Sequence, residues 1–259
     1  MTDIRYIVRS EWIKLWSVRS TWWCLGAATV LVPVFGALTA LSVDPVEAAA
    51  LPKAWLVEDG FDPLEPLSAV LLAQFAFGVL GVLTVTSEYS TGQIRSSLLA
   101  VPRRRRLLAA KLAVLAAVVA AVASALTFGT FFLTQALYPD GLGIGPGDGG
   151  AWQALLGSVA YTVFIAVFGF AVGAAVRGTG AAITVFMVVT FVVMSALPAV
   201  FPSSLQEHAV RYTFIGLARS LTTLQPDPRP GMLVAALLLA AYAALALAPV
   251  LLLVERRDS

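Results

Sequence analysis

Residues Ser87 to Lys111 read SEYSTGQIRSSLLAVPRRRRLLAAK. This is the longest polar interruption of the chain that also carries dense positive charge. Apolar runs flank it on both sides. Each is long enough to cross a bilayer, whose hydrocarbon core of about 30 Å takes about 20 helical residues. The stretch therefore reads as a loop of a membrane protein, and its arginines report the side of the membrane it faces.

The composition points the same way. Of 259 residues, 59% are hydrophobic and only 12% charged, against about 25% charged in a soluble domain. The mean hydropathy is +0.87. A net charge of only +2 says nothing about nucleic acid, and no nucleic-acid partner is expected; the distribution of charge along the chain matters more. The single cysteine, Cys24, excludes an intramolecular disulfide and a cysteine-based metal site.

Residues 1–20 form the first unit, an amphipathic N-terminal helix. Ile4, Val8, Trp12 and Leu15 make a stripe at helical spacing, Arg5, Arg9, Lys14 and Arg19 supply cations, and Trp12 and Trp16 suit the headgroup layer. Glu11 interrupts the apolar arc and is placed to pair with Lys14 three residues on. Residues 21–259 form the second unit, a transmembrane domain with six spans at about 22–42, 67–86, 107–137, 152–176, 181–201 and 232–254. The first run begins too late, and is too long, for a cleaved leader, and is read as a retained span. The third is longer than a bilayer needs. The fourth and fifth meet at a tight hairpin around Arg177-Gly178-Thr179-Gly180, and residues 202–230 contain a short helical segment on the far side. The fold class is all-α, a polytopic membrane protein with an interfacial N-terminal helix.

The loops set the orientation. With the N-terminus inside, the inner segments collect Arg5, Arg9, Lys14, Arg19, Arg95, Arg103 to Arg106, Lys111, Arg177, Arg256 and Arg257. The outer segments hold only Lys53, Arg211, Arg219 and Arg229. The positive-inside rule then places both termini in the cytoplasm, in a multi-pass protein of the cytoplasmic membrane.

Several chemistries lack their residues. With Lys111 counted in the inner segment, the span interiors hold no Asp, Glu, Lys, Arg or His, which argues against proton- or ion-coupled transport. The only lysines are Lys14, Lys53 and Lys111, none in a Walker A context, so the chain is not itself the ATP-hydrolysing enzyme. The lone histidine, His208, has no cluster around it, and no metal site or catalytic residue is assigned. Hydroxyl and amide residues of the spans, such as Gln74, Tyr161, Thr162 and Thr190, read as helix-packing groups. Gly169 and Gly173 form a small-xxx-small pair that lets two helices approach closely.

The coupling loop, residues 87–106, carries the functional reading. Ser90 and Gln93 fit a capping box around Thr91 and Gly92, opening a short helix that runs to about Ala100 and is stopped by Pro102. Ile94, Leu98 and Leu99 then gather near one face, suited to a cleft in a cytosolic partner, with Ser96 and Arg95 elsewhere. Glu88 closes the second span within reach of Arg95 and Arg103, as a salt bridge or a helix cap. Arg103, Arg104, Arg105 and Arg106 suit anionic lipid heads, a partner's acids, or both.

The run Glu88-Tyr89-Ser90-Thr91-Gly92-Gln93-Ile94-Arg95, followed by Leu98-Leu99, Pro102, Arg103 and Lys111, resembles the first cytoplasmic loop of ABC-2-type transporter permeases. Gln93 stands where that family often has threonine. The opening, with Glu11, Trp12, Lys14 and Leu15, is similar to the family's N-terminal connecting helix. The resemblance implies the membrane subunit of an ABC exporter, paired with a second permease copy in a homo- or heterodimer. It implies docking on a cytosolic ABC ATPase that binds ATP and magnesium, while this chain binds no cofactor. Two other readings stay open: a stand-alone secondary transporter, and a non-transporting membrane scaffold or immunity protein. The cargo is not encoded in any motif.

Overall fold

The computed structural model describes residues 4–53, 60–93, 104–139, 141–224 and 230–255, with only the backbone of Arg104, Glu207 and residues 251–255. Helix α1 (Ile4–Ser17) buries Ile7, Glu11 and Leu15, four residues apart and hence on one face. Val18 is extended, with φ −92° and ψ 125°, and turns the chain into α2 (Arg19–Leu41). Asp44 caps α3 (Pro45–Ala50) by accepting from the backbone N–H groups of Val46 and Glu47. A 3-10 turn, Glu65–Ala69, leads into α4 (Val70–Ser90). Then come α5 (Arg104–Leu137) and α6 (Ala151–Val176).

Arg177 ends α6 in the left-handed conformation, φ 67°, and Gly178 opens α7 (Thr179–Met187). That span continues through a π-helical turn, Val188–Val193, to Val200. The β-branched run Val188, Val189, Thr190, Val192, Val193 is a poor α-helix former, and the widened turn sets Phe191 against Phe75, rings stacked 4.2 Å apart. Residues 202–224 hold two short helices, α8 (Ser203–Arg211) and α9 (Phe214–Thr222), where the sequence suggests one segment. Thr213 divides them, its hydroxyl capping α9 through the N–H of Gly216. The last helix is α10 (Met232–Glu255).

Among the described residues, six helices are long and apolar enough to cross a membrane: Arg19–Leu41, Glu65–Ser90, Arg105–Leu137, Ala151–Val176, Thr179–Val200 and Met232–Val250. The chain is an all-α, multi-pass membrane protein, and the described residues include no strand. At 1.5 Å per residue α5 is roughly 50 Å long, well beyond a core of about 30 Å, so it projects from the bilayer at one end or tilts.

The bundle is built around α6, which packs on α4, α5, α7, α9 and α10. Its most intimate neighbour is α4. A Cβ on Gly169 would overlap the carbonyl oxygen of Gly78, one on Gly81 would overlap that of Ala166, and one on Gly173 would fall 2.8 Å from that of Val82. In lipid no hydrophobic effect draws helices together, so this backbone proximity and its dispersion contacts hold the crossing. Helix α9 seats on α6 the same way, with Leu221 against Gly157.

Polar span residues mostly bond to nearby groups. The hydroxyls of Ser124, Ser158, Thr162 and Thr184 donate to carbonyls four residues back, and the Tyr161 hydroxyl donates to Gln74 Oε1 at 2.6 Å. The end of the bundle opposite α1 is tied by Gln135, which donates to Pro63 O and accepts from Ile144 N, and by Asp62, which accepts from Leu64 N and Leu224 N.

The α4–α6 crossing gives a direct prediction. Gly169→Val should destabilise the chain by about 1–3 kcal/mol through overpacking, visible as a lower melting temperature and a smaller monodisperse fraction in detergent. Gly26→Val, which meets nothing within 4 Å, should leave both unchanged.

Candidate functional site

Four charged side chains from three helices meet at the α1 end of the bundle. Lys111 of α5 contacts Glu11 Oε2 of α1 and donates to Glu88 Oε1 of α4 at 2.9 Å. Lys14 of α1 donates to Glu11 Oε1 at 2.7 Å and to the same Glu88 oxygen at 2.9 Å. Among the described residues two acids and two bases alternate, and the formal charges of these four cancel. Glu11, Glu88 and Lys111 are at most 4% exposed, while the Lys14 side chain keeps 34% of its surface. A cavity of about 250 Å³ lies beside the cluster, lined by these four residues with Ser17, Ser20, Thr21, Thr84, Ser87 and Gln93.

Local sequence explains each position. Glu11 falls on the buried stripe of α1 between Ile7 and Leu15, which accounts for the acid that interrupts its apolar arc. Its cations are Lys14, as the spacing suggests, and Lys111, which is 100 residues away and not suggested by any spacing. Lys111 is not a residue of the inner loop. It lies two turns inside α5, buried, so a charge does enter the span helix at this end. The described cations on Glu88 are Lys14 and Lys111; the expected Arg95 and Arg103 lie outside the described residues.

The pKa of Lys14 is set by opposing effects. Burial opposes its charge, but hydrogen bonds and attraction from Glu11 and Glu88 outweigh that and raise its pKa above the usual lysine value. Its contribution to stability is therefore whole below a pH of about 10.5 and is lost only as pH rises through the higher folded value.

The capping box at Ser90 is corrected. Ser90 belongs to the last turn of α4, and the hydroxyls of Ser90 and Thr91 both donate to Ser87 O, at 3.0 and 2.8 Å. The helix stops at Gly92, whose φ of 71° is the left-handed conformation that ends many helices. Gln93, exposed, is again helical. The second span helix thus reaches Ser90 and the third includes Arg104 to Arg106, so both span helices extend into the expected 87–106 loop. Ile94, Arg95, Leu98, Leu99, Pro102 and Arg103 lie outside the described residues. Arg105 and Arg106 are exposed in the first turn of α5, where cations oppose the helix dipole, so they do not serve the helix itself.

The neighbouring α6–α7 turn closes on the same end. The Arg177 guanidinium stands 5.7 Å from the centre of the Tyr89 ring. On the other side, Trp12, Trp16 and Trp22 form a ladder, with ring centres 5.8 and 5.0 Å apart, and the indole N–H of Trp22 donates to Trp16 O. Trp12 is about half exposed, Leu15 is buried in the main core, and Gly169 and Gly173 lie at the α4 crossing, distant in sequence from the cluster. No group of three or more His, Cys, Asp or Glu side chains that could hold a metal ion occurs among the described residues.

A family model described as ABC-2 family transporter protein matches residues 7–193, an interval that contains all four members of the charge cluster. No curated protein matches the chain.

Removing one partner from a buried ion pair leaves an uncompensated charge and costs about 3–5 kcal/mol. Glu88→Ala should therefore lower the melting temperature of the detergent-solubilised protein sharply. Arg106→Ala, on the exposed first turn of α5, should leave it within about 0.5 kcal/mol of the parent.

Proposed function

Because the chain belongs to the ABC-2 family of transporter membrane proteins, we propose that it is the permease subunit of an ATP-binding cassette exporter. It moves its cargo across the cytoplasmic membrane with energy supplied by a separate ATPase subunit. The family match over residues 7–193 carries this reading. The charge cluster supports it, because it gathers the N-terminal helix and both helices that flank the loop into one buried arrangement.

In this reading the α1 end of the bundle faces the cytoplasm, where the excess of arginine and lysine lies. A cytosolic ATPase docks on the loop between α4 and α5, with Ile94, Leu98 and Leu99 as the apolar contacts and Arg95 beside them. ATP and magnesium belong to that partner. Arg103 to Arg106 meet anionic lipid heads and the partner's acids. A second permease copy completes the transporter. It would cover part of the apolar surface that α2, the Thr179–Val200 span and α10 leave open, where only 28%, 17% and 17% of the apolar windows are buried. Closure of the ATPase pair then biases the spans between two arrangements through the loop, whose contacts differ between them.

Mild solubilisation from the native host, with identification of co-purifying proteins, tests the assignment. A stoichiometric soluble partner with a Walker A loop is the expected result, and recovery of the chain alone would contradict it. Leu98→Asp should leave membrane insertion intact yet abolish recovery of that partner and its permease-dependent ATP hydrolysis. Normal recovery would remove Leu98 from the docking face.

A further inference from the structure

We infer that Lys111 is a positioning residue for the loop between α4 and α5: its ammonium clasps the loop's two stems together and fastens α1 to them. The inference rests on the permease reading for its functional consequence, but the clasp is a property of this chain alone.

Glu88 lies in the last turn of α4, and Lys111 lies two turns after α5 begins. Their 2.9 Å contact joins the stems on either side of the loop. Elsewhere α4 and α5 approach each other little, since α4 packs chiefly on α6. A cavity lies beside the pair, lined by Thr84 and Ser87 of α4 and by Val114 and Leu115 of α5. The ion pair therefore fixes the separation of the stems. The same ammonium contacts Glu11, the middle residue of the three-residue buried stripe that seats α1. Lys14 repeats the link from α1 to Glu88 but is partly open to solvent, where an ion pair is weaker. Lys111 is thus the one cation of the cluster that touches both acids from within the bundle. A push on the loop would move both stems and α1 together, and without the clasp each stem would move alone.

The test separates positioning from folding. Lys111→Met alone leaves two acids facing one base and is expected to fold poorly. Lys111→Met combined with Glu11→Gln restores charge balance, with Lys14 and Glu88 still paired. Hydrogen exchange is measured on the full chain in nanodiscs, without any partner, for the parent, this double variant and Lys111→Arg. The double variant should keep the parent's melting temperature while α1 and the stems, 87–93 and 104–110, exchange about tenfold faster or more. Lys111→Arg should restore parental exchange. In complex with the ATPase, the double variant should retain the partner but lose most permease-dependent ATP hydrolysis. Parental exchange in the double variant would overturn the inference, as would parental coupling. If no ATPase is recovered even with the parent, the permease reading fails, while faster stem exchange still supports the clasp and unchanged exchange still refutes it.

Discussion

Charges withdrawn from water must find each other, and the α1 end of this protein is arranged around that constraint. Taking a carboxylate or an ammonium out of water costs several kcal/mol per ion even after the protein relaxes. Glu11, Glu88 and Lys111 are all nearly sealed from solvent, so none is tolerable without the others. Their requirement for company draws in an N-terminal helix with only three buried residues and joins two span helices that elsewhere contact each other little. Two acids and two bases satisfy the requirement with no net charge, which is why the arrangement can stand at the edge of a bilayer.

The rest of the bundle answers a different constraint. Lipid is as apolar as leucine, so helices gain little from hiding apolar faces, and close backbone approach must hold them. Glycines on both sides of the α4–α6 crossing permit that approach, and α6 becomes the common neighbour of α4, α5, α7, α9 and α10. The two constraints meet on α4. Its middle is held by shape against α6 and its end by charge against α1 and α5, so the rigid part of the molecule leads directly to the stems of the loop.

Much of this was legible in the residues themselves. Six long apolar runs and scarce charge dictate six membrane helices, because only intrahelical hydrogen bonds can satisfy a lone backbone segment in hydrocarbon. Gly169 and Gly173 signal a close crossing by their size and spacing. The Ser90 cap misled because Ser and Gln three apart fit a helix start, whereas Gly92 carried the stronger signal of a helix end. The two helices of 202–224 read as one because Thr213 can sit in a helix as well as cap one.

Sequence therefore decided everything that depends on local chemistry: the span helices, the amphipathic lead-in, the turn at Arg177-Gly178, and the family resemblance of the loop. The partners of Glu88 and the importance of Lys111 were decided by the tertiary structure. Glu11 and Lys111 stand 100 residues apart, and helical periodicity relates only residues a few positions apart on one helix. No spacing rule reaches across that separation, and the anomaly of an acid on a buried face names its need for a cation without naming the cation. That choice follows from how α1, α4 and α5 come together, which is settled by packing around α6 and not by any one segment.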